Sequence, residues 1–255
     1  MLLAIDIGNT NVTLGVFCED KLTFEARFAT RRERTKDEYS FELLNMLSLN
    51  AIQPADITGA VISSVVPEIT FAVGGAVEIV TGCRPLYVTA KGKTGVTICT
   101  DTPDQLGADM LVGSIAAIEK YPLPCLVVDL GTATKLYAIG SERTFLGCTI
   151  AAGVGISVKA LTSGASQLPA FSIEAPETTI CTETMKCMQS GTVFGAACMI
   201  DGMIDRFEKE LGYPFASIVA TGGYSIPIVG HCRRKITTDY DLLLDGLRIY
   251  YTKNA

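Results

Sequence analysis

Asp6 and Asp129 each close a run of apolar residues and stand two positions before a glycine, in LAIDIGNTNVTLGV and LVVDLGTATKLYAI. A carboxylate at the end of a buried strand can hold a cation, and glycine followed by Asn or Thr lets a tight turn aim N–H groups and short polar side chains at an anion. One Asp-x-Gly-x-Thr turn says little, because Asp and Gly close together make ordinary hairpins. Here the two aspartates lie 129 − 6 = 123 positions apart in a chain of 255 residues, so the pattern recurs at about half-length in the same strand-turn-strand setting. A duplicated turn of this kind can hold the phosphates of one nucleotide.

Two further segments carry possible chemistry. In TDTPDQLGADMLVGSIAAIEKY, Thr102-Pro103-Asp104-Gln105 reads as a helix start with a cap, a first-turn proline and a capping-box glutamine, which places Asp109 in the second turn. By itself Asp109 reads as a solvated carboxylate on a helix face. The small Gly107-Ala108 before it leave room for a ligand to approach. In ATGGYSIP, Gly222-Gly223 follow the apolar strand SIVAT, where backbone can come close to a ligand before a helix begins; a plain strand-to-helix turn explains the pair equally well.

The elements that must position these groups read the same way twice. Strands are expected near 2–7, 11–18 and 21–29, then a helix with Phe41, Leu44 and Leu47 at helical spacing and a Thr35/Glu38 capping box. GAVISSVV reads as a buried strand, with Pro67 starting the next helix. The second half repeats strands near 124–130, 133–139 and 144–151, followed by helices. Strands mixed with helices on one plan used twice imply an α/β protein of two related lobes, 1–118 and 119–255.

Composition narrows the function classes. The chain is 48% hydrophobic with net charge −6 and a sequence isoelectric point near 4.9, and its arginines at 31, 32 and 34 are interrupted by Glu33. That balance argues against a nucleic-acid partner held through phosphates. No uncharged stretch reads as a membrane span, and Asp6 interrupts any secretory leader, so a cytoplasmic protein is expected. Nine cysteines without a C-x-x-C pair, and a single histidine, His231, read as reduced thiols rather than a zinc site. Ser-His-Asp or Cys-His catalysis would have to run through His231 alone.

Taken in order, DIGNTN, VISSVVP, KTG, GAD, DLGTAT, AGVGIS, MQSG, ATGG and the closing DGL resemble the type III pantothenate kinases, of the actin-like, acetate-and-sugar-kinase superfamily. The resemblance runs essentially the whole length. It implies two ribonuclease-H-like lobes with mixed sheets in an actin-like ATPase fold. The implied reaction is ATP-dependent phosphorylation of pantothenate to 4′-phosphopantothenate, the first step towards coenzyme A, in a cytoplasmic homodimer. By the same resemblance Asp6 lies near Mg2+ and Gly8, Asn9, Thr10, Asn11 and Thr13 belong to the nucleotide-binding set, with Thr132, Gly222 and Gly223. Asp109 takes the hydroxyl proton of the acceptor. Gly107, Ala108, Met110 and Thr184 surround that acceptor, and Asp129 serves a monovalent cation, K+ or NH4+.

The chain departs from the family pattern at two acceptor positions. Met110 stands where GADR has arginine, and Thr100 stands where a tyrosine helps form the pantothenate site. Two alternatives stay open on that account: a kinase of the same fold for another small hydroxyl compound, and a non-catalytic nucleotide-binding regulator like the Bvg accessory factors.

Overall fold

The computed structural model describes residues 1–164 and 168–255. Its contacts divide the chain into two units. The first comprises Met1–Val96, Asp101–Ala116 and Leu242–Ala255; the second comprises Thr97–Thr100 and Ala117–Asp241.

The first unit is built on strands β1 (Leu2–Ile7), β2 (Asn11–Cys18), β3 (Lys21–Ala29), β4 (Gly59–Ser64) and β5 (Leu86–Tyr87), in the order β3-β2-β1-β4-β5. β1 is central, antiparallel to β2 and parallel to β4. Leu3, Ile5 and Ile7 alternate along it into one apolar cluster with Leu14, Ile62, Leu47 and Val77. Burying each such side chain stabilises the fold by about 1.5–3 kcal/mol relative to exposure, so the strand end that carries Asp6 is rigidly fixed.

Helix α1 (Lys36–Leu49) starts on the expected capping box: the Glu38 N–H donates to the Thr35 hydroxyl, and the Thr35 N–H donates to Glu38 Oε2 at 2.7 Å. Helix α2 (Pro67–Thr81) has Pro67 at its first turn, where a missing N–H costs nothing.

The second unit repeats this plan. Strands β7 (Cys125–Leu130), β8 (Ala133–Ile139), β9 (Thr144–Ala152), β10 (Ser217–Thr221) and β11 (Thr237–Thr238) join β6 (Thr97–Ile98) in the order β11-β10-β7-β8-β9-β6. β7 is antiparallel to β8 and parallel to β10, as β1 is to β2 and β4. Helices α4 (Val154–Gly164), α5 (Thr184–Leu211) and α6 (Ser225–Val229) cover it.

Besides a boundary two residues earlier, at 116/117, the units differ from a linear division at 118/119 in two segments, each for a packing reason. β6 hydrogen-bonds in parallel with β9 and so falls with the second unit. The closing helix α7 (Leu242–Asn254) lies against β1, β4 and β2 with Leu242, Leu244, Leu247 and Tyr250 buried, and so returns to the first.

Helix α3 (Ala108–Lys120) begins later than its sequence suggests. Residues 103–105 make a single 3-10 turn, Leu106 reverts to extended backbone, and the α-helix starts at Ala108. The Thr102 hydroxyl sits 3.4 Å from Gln105 Oε1 and caps no backbone N–H. The expected capping box is therefore absent, and Asp109 lies in the first turn of α3 rather than the second. Among the described residues no helix is long and apolar enough to cross a membrane.

Candidate active site

The 8–11 turn is held from both sides. The Gly8 N–H donates to the Asn11 carbonyl at 3.0 Å, the Thr30 hydroxyl donates to the Gly8 carbonyl at 2.6 Å, and the Thr30 N–H donates to the Thr10 carbonyl at 2.9 Å. A Cβ at Gly8 would stand 3.1 Å from the Asn11 carbonyl oxygen. Asn9, Thr10 and Asn11 are left exposed, with Asn9 Oδ1 accepting from Arg32 at 3.1 Å. Asp6, one turn of pleat before, is opposite Thr13 on β2 and Ser63 on β4, and the Ser63 hydroxyl donates to its Oδ1. The first unit thus brings Asp6, Thr13 and the Gly8–Asn11 turn to one strand end.

The second unit does the same with a tighter turn. Gly131-Thr132 join β7 to β8 with one residue fewer than Gly8-Asn9-Thr10 between β1 and β2. Gly222 follows β10 at φ +89°, and a Cβ there would come within 2.5 Å of the Leu130 carbonyl carbon and 2.9 Å of Asp129 Oδ1. Only glycine fits that approach. The Tyr224 N–H donates to the Leu130 carbonyl at 3.1 Å, and the Ser225 hydroxyl to the Gly222 carbonyl at 2.6 Å, tying the 222–225 turn to the end of β7. Gly153 closes the third side, since a Cβ there would be 2.1 Å from the Thr132 carbonyl oxygen. Asp129, Gly131, Thr132, Gly222 and Gly223 are therefore gathered at one strand end.

Asp129 differs from Asp6 in what faces it. Its carboxylate is buried, and Lys135, its register partner on β8, places Nζ 2.6 Å from Oδ2. The other oxygen, Oδ1, lies 3.2 Å from where a Gly131 Cβ would sit. A second monovalent cation about 4 Å from Nζ would be repelled by about 4 kcal/mol at an effective dielectric of 20. Lys135 therefore competes with an added K+ or NH4+ ion for this carboxylate.

Asp6 fits a divalent ion better. The Ser63 hydroxyl bonds one of its oxygens and its register partner is Thr13, and Mg2+ commonly takes one or two carboxylates together with substrate phosphates and water. Among the described residues no group of three or more His, Cys, Asp or Glu could hold a metal ion by itself.

Asp109 is partly buried at the start of α3, and its Oδ1 accepts the Met110 N–H at 2.7 Å. Negative charge is favoured at that helix end. A Cβ at Gly107 would stand 2.6 Å from this oxygen, so a larger residue would turn the carboxylate away. α3 is fixed by α7 at a backbone contact: a Cβ at Gly246 would be 2.0 Å from the Val112 carbonyl oxygen.

Met110 is buried, 8% exposed. The Thr100 hydroxyl is buried and has no hydrogen-bond partner among the described residues. Thr184 is exposed at the start of α5, on the rim of a groove of about 680 Å³ that Val154, Leu161, Met188 and Met199 line.

His231 packs against an aromatic neighbour. Its ring meets Phe194 edge-on, with centroids 5.3 Å apart. Burial, then the nearby Asp201, push the Cys232 thiol up to about 12, which keeps it neutral and unreactive.

Three contributors lie in or beside motifs quoted above but were not singled out as site residues, and Lys135, just after GTAT, reads from sequence alone as a variable position. Lys135 is legible once β7 and β8 are paired across Gly131-Thr132, because the register sets 129 opposite 135. Ser63 follows from pairing β1 with β4 in parallel. Gly153 lies in AGVGIS, but its role depends on Thr132 lying against it.

Two mixed sheets of one topology, each ending its central strand on an aspartate beside a glycine turn, define an actin-like ATPase and sugar-kinase architecture. Solved structures share the fold. A conserved putative Baf family transcriptional activator from Campylobacter jejuni superposes with TM-score 0.61 at 16% identity, covering 98% of this chain and 97% of that one. A putative 2-dehydro-3-deoxygalactonokinase from Sinorhizobium meliloti gives 0.56 at 13% identity, covering 98% and 96%. Within that architecture the chain belongs to the type III pantothenate kinase family, whose model matches residues 2–206. It is 38% identical over 251 residues to the type III pantothenate kinase of Finegoldia magna, covering 98% of this chain and 96% of that one. It is 39% identical over 254 residues to that of Exiguobacterium sibiricum, with both chains covered in full.

Proposed function

We propose that this protein transfers the γ-phosphoryl group of ATP to the primary hydroxyl of pantothenate, giving 4′-phosphopantothenate for coenzyme A biosynthesis. The observation that carries the reading is full-length kinship to type III pantothenate kinases together with an acidic strand end built twice on one topology. Phosphoryl transfer asks mainly for positioning and charge neutralisation, and these are what rigid turns and strand-end carboxylates supply.

In this reading the Gly8–Asn11 turn, with Thr13, holds phosphates, and Asp6 holds the magnesium ion that neutralises their charge. Thr132 and the Gly222-Gly223 turn contact the nucleotide. Asp109 accepts the proton of the attacking hydroxyl; a carboxylate suffices because in a loose transition state that proton leaves late. Gly107 and Ala108 leave space for the acceptor beside it, and Thr184 contributes on its own unit. The working assembly is a homodimer in the cytoplasm, as the family resemblance implies.

A second reading, a kinase for a neutral hydroxyl compound, is favoured by one observation. At the GADR position this chain buries a thioether instead of presenting a guanidinium to a carboxylate. Coupled measurement of ADP release separates the two readings by comparing pantothenate with panthenol, its alcohol analogue. Preference for pantothenate supports the first reading, and preference for panthenol the second.

A further inference from the structure

We propose that the Lys135 ammonium is the resident cation of Asp129, so that this kinase works without added potassium or ammonium ion; the inference rests on the kinase reading above. The antiparallel register of β7 and β8 sets residues 129 and 135 directly opposite, so their side chains leave the same face of the sheet. Nζ then meets Oδ2 at 2.6 Å, and both side chains are nearly buried, 12% and 7% exposed. The tight turn sets Gly131 and Gly222 beside Oδ1, where a Cβ on either would stand 3.2 or 2.9 Å from that oxygen.

An ammonium group carries the same charge as a potassium ion in a similarly compact form. Anchored on a strand, it is present at fixed geometry at every salt concentration. The duplicated site supplies an internal comparison: Asp6, at the equivalent strand end, is opposite the neutral Thr13 and bonded to the Ser63 hydroxyl. The second copy of the repeat thus carries a positive charge on the strand that pairs with its aspartate. Lys135 acts through Asp129, which makes it a positioning residue for the neighbouring Thr132 and Gly222 turns.

The test uses the full chain with MgATP and pantothenate in the chloride salts of potassium, ammonium, sodium and choline at constant ionic strength. The wild-type rate should change by less than about twofold among the four salts. Lys135→Ala should be slow in choline and recover by roughly tenfold or more in potassium or ammonium, because a mobile cation can take the vacated position. A wild-type rate at least about tenfold higher in potassium than in choline overturns the proposal. So does a folded Lys135→Ala that keeps the wild-type rate in choline, or one that no cation restores.

A second readout is independent of turnover. The melting temperature of the wild type should be the same in potassium and choline, and that of Lys135→Ala should rise selectively in potassium; the reverse pattern overturns the inference. Should Lys135→Ala fail to fold, Lys135→Gln takes its place, and the wild-type salt series decides by itself. No ADP release in any salt would count against the kinase reading alone, and the melting series would still judge Lys135.

Discussion

Asp129 and Lys135 face each other across the β7–β8 hairpin, with Oδ2 and Nζ 2.6 Å apart and both side chains largely out of solvent. Breaking such a pair from one side leaves a buried charge without a partner. Lys135→Met should therefore lower stability by about 3–5 kcal/mol, and the double variant Asp129→Asn with Lys135→Met should recover part of that loss. Chemical denaturation of the four proteins of the cycle measures it.

Asp109→Asn keeps the size and the Oδ1 acceptor for the Met110 N–H but removes the proton acceptor. Turnover should fall by about 10²–10⁴-fold while nucleotide affinity and melting temperature stay near wild type. Steady-state rates and calorimetric titration of ATP check both halves.

Gly222→Ala places a methyl group 2.5 Å from the Leu130 carbonyl carbon at φ +89°. The conformation alone costs about 1–3 kcal/mol, and the clash forces the Gly222–Tyr224 turn away from β7. Melting temperature should drop by roughly 5 °C, with ATP affinity weakened more than that of a surface control such as Gly164→Ala, where a Cβ meets open space.

The longer strands of both sheets were legible because apolar runs and turn residues coincide, while their order and the short strands β5, β6 and β11 were not. β1, β2 and β3 fall on the expected 2–7, 11–18 and 21–29, and the Thr35/Glu38 capping box forms as read. The start of α3 was misplaced because a local Thr-Pro-x-Gln signal cannot reveal that Leu106 reverts to extended backbone. The return of α7 to the first unit was hidden, since it depends on Gly246 meeting Val112 far away in the chain. Of the site, the two aspartates and their glycine turns could be read from spacing. The ion pair that changes the meaning of Asp129 needed strand register, and the interior placement of Met110 needed packing.

Glu208 gives the fold a defined response to acid. Hydrogen bonding from Arg234, helped by the Phe215 N–H against the opposing effect of burial, holds its carboxyl below the ordinary 4.5. A carboxylate with a depressed folded value contributes stability that is present above the unfolded value and is lost as pH falls through the folded one. The difference in melting temperature between wild type and Glu208→Gln should thus be full near neutrality, shrink as pH falls below the ordinary 4.5 and vanish below the lowered folded value. A difference that stays constant down to that range would remove the ion pair from this role.

The most direct test of the whole account is to incubate the purified protein with MgATP and pantothenate and identify the products by mass spectrometry. The products should be ADP and 4′-phosphopantothenate in equal amounts, with both formed at least about a hundredfold more slowly by Asp109→Asn. Binding of ATP without any phosphopantothenate, or phosphorylation of panthenol in preference to pantothenate, would contradict it.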